Sequence, residues 1–125
     1  MNDTVKEWIS KAEGDYKTAK REFAAESDPN YDAVCFHAQQ CVEKLMKALL
    51  INRGATPPKT HDLTTLDNEI GRILKEWSSS PDELRMLSNA SVAFRYPGES
   101  ADKNEAAESL ANCDNLRNRL LGLLK

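Results

Sequence analysis

Four polar residues recur along the segment Tyr31 to Leu50 at spacings that place them on one side of a helix. They are His37, Gln40, Lys44 and Lys47. We call this set the polar stripe; Glu43 lies at its edge. An imidazole, an amide and two ammonium groups could together bind an anion or contact a partner protein. A solvated helix face has the same composition, so both interpretations stay open.

Four further candidates for a binding cleft lie outside the polar stripe. In the run KTHDL, His61 and Asp62 stand where a helix begins. The backbone N–H groups there could help His61 meet a phosphate, or Asp62 could be the N-terminal cap. Arg95 lies at a helix end, where it could reach a phosphate or interact favourably with the helix dipole. The adjacent Tyr96 completes the set.

Other kinds of chemistry lack a motif in this chain. No constellation of several metal-binding side chains is visible in the sequence, so we predict no metal site. The three cysteines contain no CxxC pair, and we interpret them as small buried hydrophobic residues. The five glycines form no phosphate-binding loop. We therefore assign no catalytic residue and predict no cofactor.

Composition describes an ordinary globular domain. The 125 residues are 30% charged and 40% hydrophobic, and we expect them to form a single domain, 1–125. A net charge of −3 argues against a broad electrostatic surface for nucleic acid. The N-terminal segment lacks the apolar core of a signal peptide, and no apolar run approaches roughly 20 residues. We expect a soluble cytoplasmic protein that does not bind a membrane.

The spacing of apolar residues predicts five helices and no strand. The predicted spans are Val5 to Phe23, about Tyr31 to Asn52, Leu63 to Trp77, Pro81 to Phe94, and roughly Asp102 to Leu124. Thr60 or Asp62 could cap the third of these helices. Tight links between them predict an all-α, five-helix up-and-down bundle.

Two features refine this architecture. The apolar arc of the second helix is unusually wide, which predicts a central helix with several neighbours. Phe36, Leu50 and Ile51 lie outside that arc, and exposed apolar groups there would mark a homodimer interface. Arg117 falls within the apolar stripe of the last helix, so we expect it to pair with a carboxylate or to extend its charged end to solvent.

A family resemblance is carried by the run YDAVCFHAQQCVEKLMKALL, followed by THDL and FRYPG. This chain resembles the HEPN domain over nearly its whole length, and in particular the small prokaryotic proteins that carry CFHAQQ. The resemblance implies a five-helix bundle, a homodimer and a small nucleotidyltransferase as partner in a toxin–antitoxin pair. Many HEPN proteins are metal-independent ribonucleases whose site is an Arg, then four to six residues, then a His, at the dimer cleft.

This sequence departs from the ribonuclease motif. If Arg95 is the family Arg, the His should fall among Ser100, Ala101 and Asp102, and no other Arg precedes a His at that spacing. The first hypothesis is therefore a non-catalytic HEPN protein that dimerises and binds a nucleotide or a cognate nucleotidyltransferase.

Two alternatives to the non-catalytic hypothesis remain. One is a ribonuclease with a non-standard site, with Arg95 contacting phosphate and His37 or His61 as general acid or base. The sequence shows no orienting partner for either histidine. The other is a purely structural oligomerisation module, in which the polar stripe is only a hydrated face.

Overall fold

Five α-helices make up most of the chain in the computed structural model, which describes residues 1–93 and 96–124. The helices are α1 (Asp3–Ala24), α2 (Tyr31–Asn52), α3 (Leu63–Ile73), α4 (Pro81–Ala93) and α5 (Lys103–Leu123). No strand occurs in these described ranges. The all-α prediction is confirmed. No helix in the same ranges has the length and apolar content needed to cross a membrane.

Local sequence signals account for where several helices begin and end. The side chains of Asn30, Asp62 and Asp102 accept hydrogen bonds from backbone N–H groups in the first turns of α2, α3 and α5. Gly54 follows α2 with a φ of 84°, a conformation that costs glycine little and other residues more. The predicted limits of α2 therefore match the observed ones.

Helix α2 is the centre of the bundle, because it packs against each of the other four helices. Thirteen of its 22 residues are buried, including polar residues near its middle. This confirms the prediction of a central helix. The expectation that Leu50 is exposed is wrong: it is 1% exposed in the main core, and Ile51 packs against the same core. Of the three proposed interface residues, Phe36 is the exposed one, at 39%.

The third helix is shorter than predicted. It ends at Ile73, whose side chain is exposed, whereas Leu74 and Trp77 are buried beyond the helix. The Asp67 carboxylate explains this: it accepts hydrogen bonds from Trp77 Nε1 at 2.7 Å and from Ser79 Oγ at 2.6 Å. These bonds hold the chain after α3 against the helix, so Trp77 reaches the core without helical backbone.

Arg117 joins the last helix to the first. Its Nε and Nη2 atoms donate to the two carboxylate oxygens of Glu13, at 2.9 and 2.7 Å. Its guanidinium also lies 4.1 Å from the ring centre of Tyr16. Tyr16 in turn donates its hydroxyl hydrogen to Asp114, and this bond raises the pKa of Tyr16 to about 12. The prediction that Arg117 pairs with a carboxylate is confirmed.

The three cysteines are buried and unpaired, as predicted. Cys35 contacts α5, where Ser109 Oγ donates to its sulfur at 3.4 Å. Burial raises the pKa of the Cys35 thiol, and a hydrogen bond with Cys113 raises that of Cys41. The Cys35 and Cys41 thiols therefore stay protonated, and all three cysteines are small buried side chains.

We expect the substitution Arg117→Lys to lower the free energy of unfolding by about 1 kcal/mol, because lysine cannot form the two-bond pair or lie flat on an aromatic ring. Urea denaturation followed by circular dichroism measures the difference. Arg72→Lys is the matched control, since Arg72 pairs with Glu69 on the exposed side of α3. Equal losses in the two variants would contradict the stabilising role of Arg117.

Candidate functional site

Two residues of the polar stripe, His37 and Lys44, contact the carboxylate of Asp15 on α1. The two oxygens of Asp15 accept a hydrogen bond from Lys44 Nζ at 2.6 Å and lie 2.7 Å from His37 Nδ1. Asp15 is buried between α1 and α2. His37 and Lys44 are therefore joined through a residue that the sequence analysis did not single out.

Lys47, another residue of the polar stripe, contacts the carboxylate of Glu43, which lies on α2 itself. Glu43, whose side chain is 4% exposed, accepts hydrogen bonds from Lys47 Nζ at 3.1 Å and Gln39 Nε2 at 3.3 Å. His61 Nδ1 lies 3.1 and 3.2 Å from its two oxygens. We call Gln39, Glu43, Lys47 and His61 the Glu43 cluster. Both histidines thus have a carboxylate partner that the sequence did not show: Asp15 contacts His37 and Glu43 contacts His61.

These pairings change the electrostatics expected of the polar stripe. Lys44 is bound to Asp15, and Lys47 is buried with its ammonium on Glu43 and 5.7 Å from the ring centre of Trp8. A paired and largely buried ammonium offers little positive charge to a ligand in solvent. The structure thus places both lysines in internal ion pairs rather than on an open anion-binding face.

A chain of amide contacts runs from the Glu43 cluster to the surface. Gln39 Nε2 donates both to Glu43 and to the backbone oxygen of His61, at 3.3 and 3.2 Å. Gln39 Oε1 then accepts a hydrogen bond from Gln40 Nε2 at 2.8 Å. Because both donors of Gln39 face acceptors, its amide has one satisfactory orientation, and this in turn orients Gln40.

Gln40 opens onto a cleft of about 490 Å³ between α2, the start of α3 and α4. We call it the α2–α4 cleft. Its walls carry two apolar side chains, two amides, an imidazole, a carboxylate and two hydroxyl groups. They are Phe36, Gln39, Gln40, His61, Asp62, Ser88, Ser91 and Val92. The Oγ atom of Ser88 is buried and has no hydrogen-bond partner among the described residues.

His61 and Asp62 have different roles at the mouth of this cleft. The His61 side chain is 86% exposed, and its Nδ1 faces Glu43, so Nε2 is on the solvent side of the ring. Asp62 caps α3, with Oδ1 accepting from Thr64 N at 3.1 Å and Oδ2 from Thr65 Oγ1 at 2.9 Å. The start of α3 already carries a negative group, which disfavours an anion there.

The structure separates the predicted site residues into groups. Gln40, His61, Asp62 and Phe36 meet at the α2–α4 cleft, and His37 borders an adjoining hollow that shares Phe36 and Ser91. Lys44 and Lys47 lie outside the cleft lining, and the exposed Tyr96 does not line it either. Arg95 lies outside the described residues.

Sequence reasoning missed Gln39, Ser88 and Ser91 as cleft residues. Gln39 stands within the run CFHAQQ, which was the signal available. The serines carried no signal of their own, because their place depends on how α4 packs against α2. Across residues 1–93 and 96–124, no three His, Cys, Asp or Glu side chains come close enough to hold a metal ion.

The chain belongs to the HEPN domain family, whose family model matches residues 5–123. It is similar to two solved structures. One is ST0689, an archaeal HEPN homologue, with a TM-score of 0.71 and 23% identity over 97% of this chain and 98% of that one. The other is TT1696 from Thermus thermophilus, with a TM-score of 0.78 and 19% identity over 98% and 99%. At these identities the likeness establishes the fold. No curated protein matches the sequence significantly.

We expect the substitution Lys47→Met to destabilise the fold by about 3 kcal/mol, because it leaves the buried Glu43 carboxylate without its ammonium. The double substitution Glu43→Gln with Lys47→Met should recover part of that loss, since no buried charge then remains. Urea denaturation of the three proteins measures the effect. If the single variant is as stable as the double variant, the ion pair is not what holds Glu43 in the core.

Proposed function

We propose that this HEPN protein acts as a cytoplasmic homodimer that binds a nucleotide or RNA in the α2–α4 cleft without cleaving it. The α2–α4 cleft is the observation that carries the proposal. Its volume of about 490 Å³ lies within the roughly 300–1,000 Å³ of ordinary ligand sites. Its lining combines two apolar side chains with six polar ones, and convergent polar groups of this kind can fix the orientation of a ligand.

The contents of the cleft support a nucleotide-sized ligand. Phe36 supplies an aromatic wall, and Gln40 and His61 offer hydrogen-bonding groups. The unpartnered hydroxyl of Ser88 supports a polar ligand group in the same place, since buried polar atoms are normally hydrogen-bonded.

The proposal that RNA is not cleaved is supported by the residues at 100–102, where the His of the family ribonuclease motif would fall. Ala101 donates its backbone N–H to Asp32 Oδ1 at 2.7 Å, which ties this segment to α2. Asp102 forms a capping box with Glu105 at the start of α5. Ser100 is exposed, and none of these side chains supplies an imidazole.

Dimerisation is supported by apolar side chains at the cleft rim. Phe36 is 39% exposed and Val92 is 50% exposed, and both line the cleft. A second copy packing against the rim would remove part of this apolar surface from water and leave the cleft open at the junction of the two protomers. The proposed nucleotidyltransferase partner and toxin–antitoxin context rest on the family resemblance, and an adjacent nucleotidyltransferase reading frame would support them.

We expect Phe36→Lys and Val92→Lys each to shift the protein from dimer towards monomer, because each places a charge in an apolar contact. Sedimentation velocity over a range of concentrations measures the shift. Ile73→Lys is the matched control, since Ile73 is a similarly exposed apolar residue on α3 and does not line the cleft. A dimer that all three variants form equally well would place the interface elsewhere.

A metal-independent ribonuclease is the second candidate function, and the Glu43–His61 contact favours it. A carboxylate that orients an exposed imidazole is a common arrangement for proton transfer. In such a reaction His61 Nε2 would accept the proton of a ribose 2′-OH, and the 2′ oxygen would attack phosphorus to form a 2′,3′-cyclic phosphate. The bond to the 5′ oxygen would break, and that oxygen would leave after taking a proton from water.

Metal-free incubation with labelled single-stranded and structured RNA separates the two functions. The binding function predicts RNA that is retained in anisotropy measurements and remains intact. His61→Ala and His37→Ala form a matched pair, because each removes one carboxylate-oriented imidazole. Cleavage to a cyclic phosphate that is lost in His61→Ala and kept in His37→Ala would establish the ribonuclease instead.

A further inference from the structure

We propose that the α2–α4 cleft recognises an unpaired adenine base, read by the amide of Gln40, and not a phosphate group. This inference rests on the proposed function, because it names the part of the nucleotide or RNA that the cleft binds. Three independent features of the cleft carry it: its charge, the orientation of Gln40 and the aromatic wall.

The charged groups among the described lining residues of the cleft do not suit phosphate. Among its described lining residues, Asp62 is acidic and His61 is the sole group that can carry positive charge. Lys44 and Lys47, the cations next to Gln40 on α2, point into ion pairs with Asp15 and Glu43. Phosphate sites in proteins are instead built from Arg, Lys and unoccupied helix N-termini.

The orientation of Gln40 suits a base edge. Gln39 Nε2 donates one hydrogen bond to the Glu43 carboxylate and one to the backbone oxygen of His61. Lys47 Nζ also donates to Glu43 and fixes the position of its carboxylate. Gln39 Oε1 must then accept from Gln40 Nε2. Gln40 is left with its Oε1 acceptor and one N–H donor at the cleft. An amide of this kind pairs with adenine, which offers an N–H donor beside a ring nitrogen acceptor.

The aromatic wall supplies a stacking surface. The Phe36 ring lies 5.2 Å from the His37 ring at 82°, and Asp15 holds His37 in place. Phe36 is thus positioned but still accessible at the cleft. Proteins commonly bind unpaired bases by stacking them on exposed aromatic side chains and hydrogen-bonding their edges. The Ser88 hydroxyl provides a further group for the base or its ribose.

The test is calorimetric titration of the intact protein with adenosine, AMP, inosine, ribose 5-phosphate and inorganic phosphate. We expect adenosine and AMP to bind with similar affinity and the two phosphate compounds without a base not to bind. At the edge formed by N6 and N7, inosine presents an acceptor where adenine presents its N–H donor, so it should bind there about tenfold more weakly than adenosine. Hexaadenylate and hexauridylate distinguish an RNA residue from a free nucleotide as the source of the base.

The variant Gln40→Met, of similar length but without the amide, should lose the preference for adenosine over inosine. Asn118→Leu is the control, because it removes an exposed amide from α5 outside the cleft. If adenosine alone is too weak to detect, the preference for hexaadenylate over hexauridylate and its loss in Gln40→Met give the same answer.

The possible results distinguish a failure of adenine recognition from a failure of nucleotide or RNA binding in the α2–α4 cleft. Ribose 5-phosphate binding as tightly as AMP would overturn base recognition and leave nucleotide binding intact. A preference for adenosine that survives in Gln40→Met would also overturn the role of the amide. Failure of every nucleoside, nucleotide and oligonucleotide to bind would overturn both the inference and the proposed ligand of the cleft.

Discussion

The buried carboxylate of Glu43 is the constraint on which much of this structure depends. It lies in a helix that the other four helices surround, and a carboxylate in such a place needs charged and hydrogen-bonding partners. Lys47, Gln39 and His61 supply them. The contacts of this one carboxylate bury Lys47, orient the Gln39 amide and hold His61, just before α3, against the middle of α2.

Asp15 acts in the same way on the first half of α2, through His37 and Lys44. Together the two carboxylates hold Lys44 and Lys47 in internal ion pairs. The candidate binding surface consequently moves from the polar stripe to the α2–α4 cleft. The described lining of that cleft carries one carboxylate, one imidazole, two amides and two hydroxyl groups, and the two amides are oriented by the Lys47–Glu43 ion pair behind them. This link between core electrostatics and cleft geometry is what makes base recognition testable by single substitutions.

Much of the fold could be predicted because its signals are local. Apolar spacing placed the helices, and the width of its apolar arc identified α2 as central. The errors occurred where distant contacts override local pattern. Trp77 continued the helical spacing, yet its bond to Asp67 holds it on non-helical chain. Leu50 lay outside the apolar arc, yet a neighbour covers that side of α2.

The sequence by itself determined the helices, the family and the types of side chain available to a site. Helical periodicity and capping depend on residues a few positions apart, so they can be read directly along the chain. Only the tertiary structure decided which polar groups are used internally and which face a cleft. His37 and Lys44 meet Asp15 across 22 and 29 positions, and His61 meets Glu43 across 18. Such pairs form only when separate helices pack, and no spacing rule within one helix encodes them.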